Sequence, residues 1–190
     1  MPLLVSAAVA PGALARRPQA EIDTAGLRLR PWQPDDAADV VAGYADPAIQ
    51  RWHCRAMTEP EARAWISAWA QRWRAETGAG WAITDPSGVL GQISLRHLDL
   101  HEGLAEVSYW VLPAARGRRV APRALRALAD WCLTDLGLHR VELRHSTANP
   151  ASCRVAAHAG FTAEGTARGA GRHADGWHDM HLHARLSTDA

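Results

Sequence analysis

The sequence predicts one domain of mixed α/β class, in which helices flank a single sheet, and three observations support this prediction. A chain of 190 residues that is 47% hydrophobic can bury one sizeable core but is too short for two comfortable domains. The hydrophobic pattern changes along the chain between the helical period and the alternating period of strands. No segment repeats, so nothing indicates a repeat architecture.

The first half of the chain predicts one strand, two helices and a hairpin. Proline and glycine set most of the boundaries, because proline cannot continue a helix and glycine permits tight turns. Thr58 and Glu61 have the spacing of a capping box at the start of the second helix. The predicted elements are a strand at 26–30, a helix from 35 that ends before Asp46-Pro47, a helix from 58, and a hairpin of 81–84 with 89–95.

The second half predicts strands that alternate with two helices. The longer helix carries an apolar stripe, and Gly137 follows it as a natural C-cap. The predicted elements are a strand at 104–112, a loop at 113–119, a helix at 122–136, a strand at 141–145, a helix at 152–159, and one or more strands around 177–186.

Residues 1–25 are predicted to form a flexible extension rich in alanine and proline. The apolar run at its start is short, and the arginines follow the run, whereas a secretory signal has its charge first. No stretch approaches the roughly 20 apolar residues that a membrane span needs. We therefore expect a cytoplasmic protein whose domain covers residues 26–187.

The charge balance argues against several classes of partner. The 21 basic residues, all arginine, nearly cancel the 20 acidic ones, so no broad basic field favours nucleic acid or an anionic membrane. Three cysteines without CxxC spacing predict neither a disulfide framework nor a thiolate metal site. Cys132 and Cys153 fall in predicted helices, where a small buried apolar side chain is the simplest interpretation.

Two predicted helix starts carry polar sequences that suit a ligand. Residues 116–121 are rich in arginine and precede the long helix, and unpaired N–H groups at a helix N-terminus attract anions. By itself this stretch is equally consistent with a solvated loop. Asn149 and Ser152 begin the second of these helices, where Asn149 alone could simply cap it.

The order of these features resembles the GNAT acetyltransferases, and more closely the RimJ/RimL-type branch. That resemblance implies one domain with a mostly antiparallel, twisted central sheet that is splayed between two strands. It extends over residues 26–186. The segments that carry it are Leu27–Pro31, Ala105–Val111, Arg116–Ala121, Asn149–Ser152, Gly160-Phe161, and Gly176-Trp177 with Asp179.

The resemblance implies acetyl-CoA as cofactor and acyl donor, with succinyl-CoA as an alternative donor. The pyrophosphate loop of the family falls on 116–121, and Arg119 occupies a position where the family usually has glycine. If that position requires a positive φ, an arginine there is strained, although its guanidinium could also bind phosphate. The implied cofactor-binding residues are Trp110, Val111, Leu112, Arg116, Gly117, Arg118, Arg119, Val120, Ala121, Asn149 and Ser152.

The resemblance also implies roles in the chemistry. A backbone N–H near Val111 would polarise the thioester carbonyl. Ser152 would protonate the departing thiolate, because the tyrosine that many relatives carry is Ala156 here. Glu106 is the preferred general base for the amine, because it shares a strand face with Ser108 and Trp110; a surface ion pair is its alternative role. His97 and His145 are the other candidate bases.

Three weaker patterns favour structural roles. Trp65, Trp69 and Trp73 share one helix face, which is typical of a core, although they could also line an acceptor site. The aspartates at 35, 36 and 39 suit a helix start, with contact to a cationic acceptor as the alternative. The histidines at 173, 178, 181 and 183 do not all share one strand face, so we expect no metal site.

The function predicted from this resemblance is direct transfer of acetyl from acetyl-CoA to a primary amine in a ternary complex. The acceptor is a peptide or protein N-terminus, an amino acid, a polyamine or an amine antibiotic. The alternative is a domain that senses acyl-CoA without turnover. We expect no nucleic acid or membrane partner, and either a monomer or a homodimer.

Overall fold

The computed structural model describes residues 4–189, which form eight strands and five helices. The strands are β1 (Ile22–Thr24), β2 (Leu27–Pro31), β3 (Ala79–Asp85), β4 (Gly88–Asp99), β5 (Leu104–Val111), β6 (Arg140–Ser146), β7 (Thr162–His173) and β8 (Gly176–Leu186). The helices are α1 (Ala37–Ala45), α2 (Pro47–His53), α3 (Glu59–Arg74), α4 (Val120–Thr134) and α5 (Pro150–His158). Among these helices, none is long and apolar enough to cross a bilayer.

All eight strands belong to one sheet, in the order β1-β2-β3-β4-β5-β6-β8-β7. Every neighbouring pair is antiparallel except β5 and β6, which α4 connects as a parallel crossover. β5 and β6 pair only from Leu104–Arg140 to Val107–Leu143, and their register ends there. The rest of β5 is therefore open on that side, which confirms the predicted splayed, mostly antiparallel sheet.

The two faces of the sheet carry separate hydrophobic clusters. α4 and α5 cover one face, where Leu125, Leu128 and Cys132 of α4 are fully buried. α1, α2 and α3 cover the other face, where Trp69 packs with Trp110 of β5 in the second cluster. Since alternate residues of a strand point to opposite faces, neighbouring residues of β5 contact different helices.

Three elements, β1, α2 and β7, were not predicted from the sequence. Asp46-Pro47 ends α1 but also begins α2, because the Asp46 carboxylate accepts the Ile49 N–H at 2.9 Å and proline is tolerated in a first turn. β7 was not predicted at all. It is an edge strand of alanine, glycine and polar residues that stays almost entirely exposed, so it shows no alternation of apolar side chains.

The predicted flexible extension is instead packed against the domain from residue 8 onward. Leu14 is fully buried and Val9 nearly so, and β1 lies inside this segment. The Glu76 carboxylate accepts the N–H groups of Gly12 and Leu14, each at 2.7 Å. The few apolar residues here were too sparse to show a period, yet they complete the core above β3 and α3. The domain boundary at residue 26 stays a prediction.

Candidate functional site

The open edge of β5 presents the backbone of Tyr109 and Val111. The Tyr109 carbonyl accepts a hydrogen bond from His53 Nε2 at 3.1 Å, and the Val111 carbonyl accepts one from Arg116 Nε at 3.3 Å. The Leu112 N–H instead donates to the Leu90 carbonyl of β4 at 2.9 Å. Because N–H directions alternate along a strand, the Val111 N–H points to the open edge, and those of Trp110 and Leu112 point towards β4.

A tyrosine that the sequence analysis missed lies next to this edge. The hydroxyls of Tyr109 and Ser152 are 2.8 Å apart, and Ser152 is buried at the start of α5. Burial raises the pKa of Tyr109 well above its usual value, despite the Ser152 hydrogen bond, so the phenol keeps its proton. Strand alternation from Trp110 was the signal that could have placed Tyr109 on the α5 side.

Asn149 caps α5, as the simpler of its two sequence interpretations predicted. Its Oδ1 accepts the Ser152 N–H at 3.1 Å, which leaves the amide nitrogen of the side chain to donate elsewhere. Its contact with a cofactor stays a prediction.

The loop at 116–121 turns sharply into α4. Gly117 and Arg119 both have positive φ, 76° and 56°, so the position where the resemblance expected glycine does require the left-handed conformation. The first N–H groups of α4, those of Val120 and Ala121, have no carbonyl one turn earlier to bind. The loop thus has the geometry of an anion site.

The three arginines of this loop differ in their partners. Arg116 binds Asp46 and Arg118 binds Asp85, each with a nitrogen–oxygen distance of 2.6 Å. Within residues 4–189, the Arg119 side chain takes part in no ion pair or hydrogen bond. Of the three guanidinium groups, that of Arg119 is therefore the one free to bind a ligand.

A cavity of about 380 Å³ lies on the opposite face of the sheet, between the helices α1–α3 and strands β4 and β5. Ser108 and His53 line it, and His53 joins it to the open edge of β5 through the Tyr109 carbonyl. Its wall holds three arginines and no carboxylate. The remaining lining residues are Tyr44, Trp52, Arg55, Trp65, Ala68, Trp69, Arg72, Gln92, Ser94 and Arg96.

A larger surface depression, of about 550 Å³, runs along the β1–β2 hairpin and the β3–β4 turn. It touches neither β5 nor β6, so it offers no access to the open edge. Asp85, the partner of Arg118, lies on its rim, which places this depression beside the loop at 116–121.

His53 is a partly buried, neutral imidazole at the junction of cavity and open edge. Burial lowers its pKa to about 4, the Tyr109 hydrogen bond opposes this shift, and the charges of Arg55 and Arg96 reinforce it. A carbonyl can only accept, so Nε2 carries the ring proton and Nδ1 keeps a lone pair. Sequence reasoning missed His53 because it ends α2, a helix that was not predicted.

The candidate bases separate in space. Glu106 lies on the same face of β5 as Ser108, which lines the cavity. Its carboxylate is 3.7 Å from Arg96 Nε, which is the ion pair that was given as its alternative role. His97 is exposed at a β-bulge opposite Glu106. His145 is buried on the other face, where burial lowers its pKa. None of the three lines the cavity itself, but Glu106 lies on the same face of β5 and contacts Arg96 of the cavity wall.

The tryptophan stripe and the aspartates have mixed outcomes. Trp73 belongs to the core beneath α4 and Trp69 is buried in the second cluster, as the core interpretation predicted. Trp65 and Trp69 also line the cavity, and contact with an acceptor stays a prediction. Asp36 is buried and binds Arg30 through both carboxylate oxygens, at 2.7 and 2.8 Å. It is therefore unavailable to a cationic acceptor.

The histidines of the tail divide into two groups. His178 lies beside His173, with ring centroids 4.4 Å apart, and it contacts Ser146 Oγ at 2.7 Å and Asp175 at 2.9 Å. His181 and His183 converge with His145 and Cys153, which the sequence analysis had not placed beside them. His145 and Cys153 thus add two potential metal ligands to those of the tail, which the expectation of no metal site had left out.

A family model described as an acetyltransferase (GNAT) domain matches residues 26–162, most of the chain. The chain belongs to the GNAT family. Its ribosomal-protein-serine acetyltransferase relative from Escherichia coli is 30% identical over 98 residues, 52% of this chain and 55% of the relative. YdaF of Bacillus subtilis, provisionally named a ribosomal N-acetyltransferase, is 29% identical over 113 residues, 60% of this chain. The chain spans 55–61% of the length of these two curated relatives.

Two of the solved structures that share the fold of this chain are named RimL and RimJ. RimL, a ribosomal L7/L12 alpha-N-protein acetyltransferase in complex with coenzyme A, matches with a TM-score of 0.81 at 18% identity, covering 88% of this chain and 98% of RimL. Mycobacterium smegmatis RimJ, in complex with a CoA disulfide, matches with a TM-score of 0.78 at 24% identity, covering 88% of this chain and 86% of RimJ. At identities of 18% and 24%, these similarities show a shared fold alone.

Proposed function

We propose that this GNAT domain transfers acetyl from acetyl-CoA directly to a primary amine, with both substrates bound together. The observation that carries the proposal is the open edge of β5. It lies between the Tyr109–Ser152 pair on one face of the sheet and the cavity on the other. Donor and acceptor can therefore approach the same backbone N–H, that of Val111, from opposite faces.

The residues of the chain fit acetyl-CoA. The N–H groups at the start of α4 and the free guanidinium of Arg119 would hold the pyrophosphate. The open edge would pair with the amides of the pantetheine arm, and the Asn149 amide nitrogen would donate to it. Bound there, the cofactor supplies an acetyl thioester whose carbonyl is open to attack.

The protein groups divide the chemistry between them. The Val111 N–H stabilises negative charge on the thioester oxygen. Glu106, directly or through a water, takes the proton of the ammonium, so that the nitrogen lone pair forms the new C–N bond as the C–S bond breaks. Ser152, backed by Tyr109, would give the departing thiolate its proton, and it would regain the second proton that the nitrogen loses as it becomes an amide. His53 Nδ1 positions the amine, because its low pKa makes it a weak base.

We infer that the acceptor is a peptide N-terminus followed by acidic residues. Arg55, Arg72 and Arg96 face the cavity without any acid among the lining residues, so the cavity attracts anions. The same charges repel a polyamine or an aminoglycoside-type antibiotic. A relative named for a ribosomal-protein serine, and a structural neighbour named for an alpha-N-protein acetyltransferase, agree with a protein N-terminus.

Thiol release from acetyl-CoA tests this function with two pentapeptides that begin with serine and differ only at the next two positions, Asp-Asp or Arg-Arg. We expect kcat/KM for the acidic peptide to be higher by roughly tenfold or more. Arg96→Gln should remove most of that preference. Arg74→Gln, an equal charge change on the exposed side of α3, should retain it.

The same assay separates the competing outcomes. Acetylation of the basic peptide or of spermidine at the higher rate would contradict the acidic acceptor while leaving the transferase intact. Tight acetyl-CoA binding without turnover on any amine would instead favour the sensing domain. Replacing acetyl-CoA by succinyl-CoA in parallel assays identifies the preferred acyl group.

A further inference from the structure

Three histidines and one cysteine meet beneath α5, on the sheet face opposite the cavity. They come from three separate elements, His145 from β6, Cys153 from α5, and His181 and His183 from β8. One ligand atom from each lies within 4.8 Å of every other. We refer to these four residues as the His–Cys cluster.

Two members of the cluster are buried, the other two are half-buried, and their hydrogen bonds prepare the cluster for a ligand. His145 and His183 are 6% and 2% exposed, and their Nε2 atoms are 3.1 Å apart. His145 Nδ1 lies 2.8 Å from the Ser146 carbonyl, which can only accept, so Nδ1 carries the proton and Nε2 presents its lone pair to the cluster. A carbonyl anchor on the distal ring nitrogen is the usual support of a metal-bound histidine.

Within the part of the chain that the structure describes, some polar atoms of this cluster have no hydrogen-bond partner. Nδ1 of His181 is buried without a partner there, and so is Nδ1 of His183, the ring nitrogen on the side away from His145. Only the first of these two atoms can be counted as an unused ligand atom. One imidazole N–H shared between His145 and His183 accounts for their short contact but leaves His181 and Cys153 without a role. Buried polar atoms normally have partners, so four convergent donors with an orphaned ligand atom point to a missing ligand.

The donor set identifies the class of ligand. Three imidazoles and one thiolate suit Zn²⁺, which prefers four nitrogen and sulfur ligands in a tetrahedron. With bonds of about 2.0–2.3 Å, neighbouring ligand atoms lie roughly 3.3–3.8 Å apart. The 3.1 Å contact is close to that distance, and a contraction of about 1 Å brings the widest pair of the cluster into range.

We propose that His145, Cys153, His181 and His183 bind one Zn²⁺ as a closed structural site. Binding displaces the thiol proton of Cys153 to solvent, and the thiolate and three neutral imidazoles fill the tetrahedron. The ion then ties α5, which carries Asn149 and Ser152, to β6 and β8. The proposal does not depend on the acceptor or on turnover.

Metal analysis of untagged, full-length protein tests the site directly. After dialysis against zinc and then against buffer, we expect about one zinc per chain. Cys153→Ser and His183→Ala should each retain less than about a tenth of that amount. The matched controls are Cys54→Ser and His178→Ala, which change the same residue types outside the cluster and should keep the full amount.

Cobalt substitution of the wild-type chain supplies a readout that needs no variant. Tetrahedral Co²⁺ with one thiolate gives visible d–d bands and a thiolate-to-cobalt charge-transfer band, and the second band should vanish in Cys153→Ser. Less than about a tenth of a zinc per wild-type chain, or a cobalt spectrum without the thiolate band, would overturn the proposal. Equal loss of zinc in Cys54→Ser would also overturn it.

Discussion

Arg119 is the residue at which sequence and backbone disagree most clearly. It adopts a φ of 56°, a conformation that costs a residue with a Cβ about 1 kcal/mol relative to glycine. Its guanidinium is also the free one of the loop. The chain therefore retains a strained residue at the point where a phosphate would arrive, which is typical of a functional position.

Two substitutions at Arg119 separate strain from charge. Arg119→Gly should raise the free energy of unfolding by up to about 1 kcal/mol, whereas Arg119→Ala, which keeps the Cβ, should not. Both should weaken coenzyme A binding by roughly tenfold, because both remove the guanidinium. Urea unfolding and calorimetric titration measure the two effects. Unchanged coenzyme A affinity in both variants would show that Arg119 does not contact the cofactor.

Glu106 is predicted to act on the rate and not on cofactor binding. Glu106→Gln keeps the shape of the side chain but cannot accept the ammonium proton, so kcat should fall by roughly 100-fold or more. The dissociation constant of coenzyme A should stay within about twofold. Glu102→Gln, in the exposed turn before β5, is the matched control and should change neither. A variant that loses coenzyme A affinity and keeps kcat would remove Glu106 from the role of base.

At the scale of elements, the N-terminal segment behaves as part of the domain. Ala8 and Val9 hydrogen-bond to the turn after β4, and β1 pairs with β2 at the edge of the sheet. The segment from residue 8 to β1 is therefore joined to the rest of the domain. Glu76 has a positive φ of 56° and a lowered pKa: burial opposes that shift, but its three backbone N–H donors outweigh it. A strained, charged residue is thus held in place by the segment that it binds.

Leu14 should contribute strongly to stability because its side chain is fully buried in the core. Leu14→Ala removes a fully buried side chain and should lower the free energy of unfolding by about 2–4 kcal/mol. Leu4→Ala makes the same change at a position that is 98% exposed and should alter it by less than about 0.5 kcal/mol. Equal values for the two variants in urea unfolding would restore the original expectation of a loose extension.

At the scale of the whole molecule, His53 should make the fold sensitive to acid. Its pKa falls from 6.5 to about 4 on folding, so between these values the unfolded chain binds a proton that the folded chain does not. Stability is therefore complete above pH 6.5 and decreases as the pH falls towards 4. One unit of pKa difference corresponds to about 1.36 kcal/mol, so the titration of His53 changes the free energy of unfolding by at most about 3 kcal/mol.

Urea unfolding between pH 7 and 4.5 measures this contribution. His53→Gln keeps a donor for the Tyr109 carbonyl but does not titrate, so its stability should depend less steeply on pH than that of the wild type. His101→Gln, in an exposed turn, should leave the wild-type slope unchanged. Identical slopes in all three proteins would show that His53 titrates alike in the folded and unfolded chains.

The sequence by itself determined the features that depend on local order. The fold class, the β3–β4 hairpin, the capping box at Thr58 and the loop before α4 all follow from patterns within about 20 residues. Each of these is set by neighbours in the chain. The question of a positive φ at Arg119 came instead from the resemblance, in which glycine usually occupies that position, and the structure answered it.

Only the tertiary structure decided which distant residues meet. Tyr109 joins Ser152, and His53 joins the open edge of β5, across separations that no local pattern encodes. The His–Cys cluster likewise draws on β6, α5 and β8, so an argument from the tail alone could not find it. The physical reason is that a strand's pattern specifies which face a side chain takes, while sheet order and helix packing specify what it faces.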